Sequence, residues 1–234
     1  NTPFDVDFIP RDDVAAAERM IDDSVAGVIF EPVQGVAGAC DLQPDFVETL
    51  REQTHKAGAL LIADEVQSGI GRSGRFFAVQ TFGIEPDILT SAKSLGGGIP
   101  CGAVVCTDAI ARNFGPGDLG TTFGGGPLAA AAIVAVIEAI RADDLLQNVR
   151  AREAQLREQC VVGPVRKIRG IGMLLGLVCD RPAAEVRDFL LDHDILTGMS
   201  SDPDVLRILA PLVIEEQHVT RLADTLAMMP PTDT

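Results

Sequence analysis

The order of apolar runs in this 234-residue chain predicts an α/β fold built on a mostly parallel sheet, followed by a small carboxyl-terminal α+β unit. Three observations carry that prediction. Ala59-Leu60-Leu61-Ile62-Ala63 is a continuous apolar run, bounded by turn residues and too short for an ordinary helix, as in a buried parallel strand. A strand over residues 25–30, a helix opened by Pro44-Asp45 and this run then follow one another as strand, helix, strand. Composition shifts around Cys160-Val161-Val162-Gly163-Pro164, after which short strands and helices succeed each other.

Each element has a local reason. Asp12-Asp13 can cap a helix whose apolar positions are Val14, Ala17, Met20 and Ile21. Pro32 keeps Glu31 out of helical backbone at the end of the strand over 25–30. The helix from Pro44 puts Phe46, Val47 and Leu50 on one face, and Ala57-Gly58 closes it. After Asp64-Glu65-Val66-Gln67 comes a glycine-broken loop, Ser68-Gly69-Ile70-Gly71-Arg72-Ser73-Gly74. A second apolar run, Asp87-Ile88-Leu89-Thr90-Ser91-Ala92, stops at Lys93 and Gly96-Gly97-Gly98. Gly102-Ala103-Val104-Val105-Cys106 reads as a further strand, with a short helix over 108–114 and a turn at Gly115-Pro116-Gly117-Asp118. Leu128, Ile133, Val136 and Ile137 are spaced as in a buried helix over 127–140, and a helical pattern resumes over 145–156. The carboxyl-terminal unit reads as a strand over 173–179, a helix over 183–193, strands over 195–197 and 205–209, and a helix over 215–228, with a frayed tail over 230–234. The expected units are residues 1–142 and 143–234.

Charge and composition exclude some classes of function. A net charge of −15 argues against nucleic acid or an anionic membrane as partner, since either would be repelled. No apolar stretch approaches the ~18 residues of a membrane span, and no export signal is evident, so a cytoplasmic protein is expected. The five cysteines lack metal-ligand spacing and read as reduced thiols; no metal is expected.

The candidate chemistry lies at strand ends. Ligands of open α/β sheets bind beyond the carboxyl ends of the strands, so Asp64 and Lys93 can face one pocket. Lys93, between apolar residues and a triple glycine, is poorly placed for a solvated charge, and a desolvated amine can attack a carbonyl. Taken alone, Lys93 reads more readily as a strand-end lysine reaching water, and Asp64 as a helix or turn cap.

Ala-Asp-Glu-Val-Gln at 63–67, the Gly-x-Gly-Arg-Ser-Gly loop, Pro86-Asp87-Ile88 and Ala92-Lys93-x-Leu-Gly-Gly-Gly together resemble the signature of class III pyridoxal-phosphate aminotransferases, nearest to acetylornithine and ornithine aminotransferases. Glu31-Pro32-Val33-Gln34-Gly35, Gly120-Thr121-Thr122-Phe123-Gly124-Gly125 and Val205-Leu206-Arg207-Ile208-Leu209-Ala210-Pro211 extend the resemblance. It implies a partial large domain of the fold-type I class, with helices on both faces of its sheet, and a homodimer with a shared active site. It further implies transfer of an amino group from an ω-amine such as N-acetylornithine to 2-oxoglutarate through a Schiff base with pyridoxal phosphate.

By the same resemblance, Lys93 holds the cofactor and relays the proton, Asp64 pairs with the ring nitrogen, and Gln67 reaches the ring's phenolic oxygen. Thr122 reaches the cofactor phosphate of the neighbouring subunit, though by itself it reads as a loop residue. Arg207 grips the substrate α-carboxylate, and Glu31 pairs with Arg207 to mask it; a structural salt bridge is the plainer alternative. The resemblance departs at Leu119 and Gly126, where the family often has His and Asn. The chain matches the carboxyl-terminal part of the family, so the phosphate-cradling loop and ring-stacking aromatic are expected elsewhere. A decarboxylase, an aminomutase and an inactive fragment are the alternatives.

Gly69-Ile70-Gly71-Arg72-Ser73-Gly74 also matches G-x-G-x-x-G. A dinucleotide fingerprint needs its first glycine directly at the strand end, whereas polar residues separate Asp64 from Gly69.

Overall fold

The computed structural model describes residues 4–122 and 124–229. Asp13 caps α1 (Val14–Met20) by accepting the Ala16 N–H on Oδ1 at 2.9 Å. Next come β1 (Gly27–Phe30), the antiparallel pair β2 (Val33–Gln34) and β3 (Cys40–Asp41), α2 (Pro44–Ala57) and β4 (Leu60–Asp64). Pro44 suits the first turn of α2, where an N–H has no helical partner, and Gly58 ends it at φ +72°. β5 (Ile88–Ala92) and β6 (Gly102–Cys106) complete a four-stranded sheet of order β1-β4-β5-β6. β4 lies parallel to β1 and to β5, whereas β6 runs antiparallel to β5.

Strand alternation sends Phe30, Leu61, Ala63 and Leu89 to one face, where they pack with Ala17, Phe46, Val47 and Leu50 of α1 and α2. The other face holds Ile29, Leu60, Ile62, Asp64, Thr90 and Val104, aligned by the pairing register. Ile29 is 63% exposed and Val104 is 69% exposed. The expectation of helices on both faces is therefore corrected: among the described residues, α1 and α2 cover one face, and nothing comparable lies over the other.

α3 (Asp108–Ala111), α4 (Pro127–Ala142) and α5 (Leu145–Gln159) follow. α4 is not the buried helix its apolar spacing predicts. Ile140 is its one buried residue, while Leu128 is 71% exposed. Its inner side touches the Lys93–Gly96 turn through Ile133 and Val136, and no described element covers its outer side.

The remaining chain forms β7 (Val165–Ile171), β8 (Leu174–Cys179), α6 (Ala183–Leu191), β9 (Gly198–Met199), β10 (Val205–Ile208) and α7 (Glu216–Met228). The strands make an antiparallel sheet of order β7-β8-β10-β9, and α5, α6 and α7 share its core with Leu175, Leu177 and Leu206. β7 was not expected. Its bulge between Val165 and Lys167 breaks the period-two pattern by which a strand is read. β9 falls at Gly198–Met199 rather than at 195–197, because it is the stretch opposite Leu206 and Arg207 that finds backbone partners. The tail over 230–234 lies outside the described residues. A third apolar cluster, with Ile70, Leu95 and Ile140 at its centre, takes in Leu145, Leu146 and Leu212 and joins the two sheets' surroundings. Among the described residues, no helix is long and apolar enough to cross a membrane.

Candidate active site

Because β4 and β5 are parallel neighbours, their carboxyl ends lie along one edge, and Asp64 sits directly opposite Thr90. Asp64 Oδ1 accepts the Thr90 hydroxyl at 3.1 Å and the Val66 N–H at 3.0 Å, so its carboxylate is fixed by both strand and turn. Lys93 follows β5 immediately and opens the short 3-10 helix Lys93–Gly96. Its backbone is left-handed, φ +49°, a conformation that costs a side-chain-bearing residue ~1–3 kcal/mol and that clusters at functional sites. No ion pair joins Asp64 to Lys93 among the described residues, which leaves both groups available to something between them. One expectation is corrected here: Lys93, standing just beyond the end of β5, is exposed rather than desolvated.

Glu31 closes the cluster. It leaves the end of β1 beside β4, partly buried, and its carboxyl is held above the usual range chiefly by burial and then by the charge of Asp64. The Gly35 N–H and the charge of Lys93 pull it the other way. Glu31 thus feels the charges of both Asp64 and Lys93. Gln67 reaches the same place from the turn after β4. A Cβ at Gly35 would lie 2.5 Å from Gln67 Oε1, so the glycine is what lets this amide settle against the loop that carries Glu31. Four of the six predicted side chains therefore converge.

The other two stand apart. Arg207, on β10, is partly buried and donates from Nε to the Met199 carbonyl at 2.5 Å. The expected pairing of Arg207 with Glu31 is not made: no ion pair links them among the described residues, because antiparallel pairing with β9 gives the guanidinium a backbone acceptor instead. Thr122 is exposed in a loop of exposed residues, next to Phe123, which lies outside the described residues.

Two positions escaped sequence reasoning. Thr90 shares a face with Asp64, and simple alternation along β5 would have found it. Glu65, only 1% exposed, accepts the Ser68 hydroxyl at 2.7 Å and the Val79 N–H at 2.6 Å and so anchors the loop that leads away from Asp64. Nothing in its sequence context distinguishes it from a solvated acid.

A fixed carboxylate, an unpaired amine and a side-chain amide around one strand edge fit a charged aromatic heterocycle that carries a carbonyl: acid to ring nitrogen, amine to carbonyl carbon, amide to a ring substituent. Comparison with known proteins agrees with that donor set. The chain is 39% identical over 223 residues to the acetylornithine aminotransferase of Methanosarcina acetivorans, a match covering 94% of this chain and 55% of that protein. It is also 39% identical over 206 residues to the [LysW]-aminoadipate semialdehyde/glutamate semialdehyde transaminase of Sulfurisphaera tokodaii, covering 86% of this chain and 53% of that one. The ornithine aminotransferase of Toxoplasma gondii superposes with a TM-score of 0.87 at 30% identity, over 96% of this chain and 57% of that chain. A second structure of that enzyme has partial occupancy of PLP at its active site. The chain thus spans a little over half the length of these relatives. The family model for aminotransferase class-III matches residues 9–229, and the chain belongs to that family.

Proposed function

We propose that this chain carries the lysine-bearing part of a pyridoxal-phosphate-dependent aminotransferase that moves an amino group from an ω-amine, with N-acetylornithine the favoured donor, to 2-oxoglutarate. The observation that carries the reading is the meeting of Asp64, Lys93 and Glu31 at the adjacent carboxyl ends of β1, β4 and β5. When bound, the cofactor supplies an electron-accepting ring that stabilises negative charge on the substrate's reacting carbon.

The protein's own groups do the rest. Asp64, oriented by Thr90 and Val66, holds a proton on the ring nitrogen. Lys93 Nζ would hold the cofactor, and the same amine would take the proton from the substrate's reacting carbon. Gln67 orients the ring with its amide. Arg207 binds the α-carboxylate of glutamate or 2-oxoglutarate with two parallel hydrogen bonds, after giving up the Met199 carbonyl. Glu31 swings to mask Arg207 when an ω-amine enters.

Thr122, on its exposed loop, extends to the cofactor phosphate of a second subunit, which makes the working form a homodimer with shared sites. In this reading residues 1–142 belong to the cofactor-binding domain, residues 143–234 form the small domain, and the enzyme works in the cytoplasm. The left-handed backbone of Asp144, φ +47°, separates α4 from α5 and supports a division near this point.

The test is chemical labelling. Pyridoxal phosphate followed by borohydride is expected to mark Lys93 in the native chain and to leave Lys93→Ala unmarked. A label that persists undiminished in Lys93→Ala would remove the assignment.

A further inference from the structure

Arg72 is a partly buried cation with no carboxylate partner among the described residues. Its guanidinium crosses from the glycine loop to the carboxyl-terminal sheet, where Nη1 donates to the Ala210 carbonyl and, at 3.4 Å, to the Met173 carbonyl. The backbone bond between the same segments runs the other way, from Met173 N–H to the Arg72 carbonyl at 2.8 Å. The two chains touch so closely that only glycine fits: at Gly172, φ +63°, a Cβ would lie 2.3 Å from the Arg72 oxygen. The loop itself is tied to the site, since Gly69 N–H donates to the Glu65 carbonyl at 3.0 Å and Arg72 N–H to the Gly69 carbonyl at 3.3 Å.

The far end of the clamp is equally specific. Ala210 follows β10, the strand that presents Arg207. The segment beyond it is pinned a second time by Asn148, whose Nδ2 donates to the Leu212 and Ile214 carbonyls at 2.8 and 2.9 Å. Burial draws the Arg72 pKa downward, so the charge is carried at some cost and carbonyl dipoles alone offset it. A single terminal nitrogen, Nη1, reaches two carbonyls on separate segments, one in the turn between β7 and β8 and one just beyond β10, which explains why a long cation stands here and a neutral filler does not.

We propose that Arg72 is a positioning residue for the substrate subsite: it sets the height of β10, and hence of Arg207, against the strand ends that carry Asp64 and Lys93. The inference rests on the reading of Arg207 given above. Arg72→Lys keeps the charge but moves the donor away from the Nη1 position that serves both carbonyls, and Arg72→Gln loses charge and reach together; either variant suffices if the other fails to fold.

Amide exchange tests the clamp without cofactor or activity. Exchange at residues 171–174 and 207–212 is expected to quicken about tenfold, the factor that one charge-assisted hydrogen bond supports, while α2 is unchanged. In the cofactor-loaded enzyme before any borohydride is added, KM for 2-oxoglutarate is expected to rise about tenfold with kcat held, and a parallel borohydride-treated sample is expected to keep the label on Lys93. Unaltered exchange overturns the proposal. So does faster exchange with unaltered KM, or an equal fall in kcat and loss of the label, either of which leaves Arg72 a purely structural tie. If the native chain takes no label at all, the functional reading fails separately, and exchange at 207–212 still decides the clamp.

Discussion

The two four-stranded sheets treat their faces differently. In the carboxyl-terminal sheet both sides of β8 are closed: Leu175 and Leu177 enter the core with α5, α6 and α7, while Leu174 packs with Val33 and Ala39. Gly176 comes so near the incoming loop that a Cβ there would lie 2.3 Å from the Gly38 carbonyl. In the amino-terminal sheet only the α1 and α2 side is closed, and the side that holds Asp64 stays open. The lesson is one of division of labour: the sheet with complete packing fixes geometry, and the sheet with incomplete packing holds the reactive groups.

The sharpest way to break this contrast is to truncate one residue in each sheet. Leu177→Ala is expected to cost about 2–5 kcal/mol in urea unfolding, because its cavity is walled on every side. Ile29→Ala is expected to stay within ~0.5 kcal/mol, its side chain being already in water. A large loss at Ile29 would show that the second face is covered in solution and that the two sheets are alike.

A smaller effect sharpens the same point in the backbone. The β7–β8 hairpin takes its left-handed positions with Gly170 near the end of β7 and Gly172 in the turn, whereas the end of β5 takes one with Lys93. At this hairpin glycine avoids the strain that Lys93 accepts at the site, although Ala39, packed against Leu174, is left-handed too at φ +56°. Lys93→Gly is accordingly expected to be more stable than Lys93→Ala by about 1 kcal/mol in thermal or urea unfolding. Equal stabilities would mean that the left-handed backbone at this position carries no cost.

How much of this was legible in sequence follows the same division. β1, α2, β4 and β5 stood out because a parallel sheet needs continuous apolar runs and α2 has proline and glycine at its ends. That Asp64 and Lys93 can face one pocket was legible because each stands at the end of a strand, whereas Gln67 and Glu31 entered only through the resemblance, with Glu31 expected beside Arg207. The bulged β7 was not, since its register slip erases the alternation, and the burial of α4 was overestimated because apolar spacing tells which side wants cover without telling what supplies it. Arg207 was found as a residue, but its acceptor was not: which carbonyl a guanidinium meets depends on the pairing of β10 with β9, which no local pattern encodes.

The smallest expected effect concerns charge beneath the open sheet. Glu65 is the one buried carboxylate among the described residues, and no acid is buried in the closed sheet. Burial raises its carboxyl above the usual range, outweighing the Ser68 hydroxyl and the Val79 and Ala78 N–H groups that favour the anion. The folded chain therefore binds this proton more tightly than the unfolded chain does. Its contribution is full below the ordinary carboxylate range and is lost as pH rises from there through the raised folded value. Measured as urea midpoints across that window, the native chain is expected to lose stability relative to Glu65→Gln as pH rises, the difference levelling off above it. A difference that grew in the opposite direction would mean that the three donors outweigh burial, and that the floor of the site is built to hold an anion.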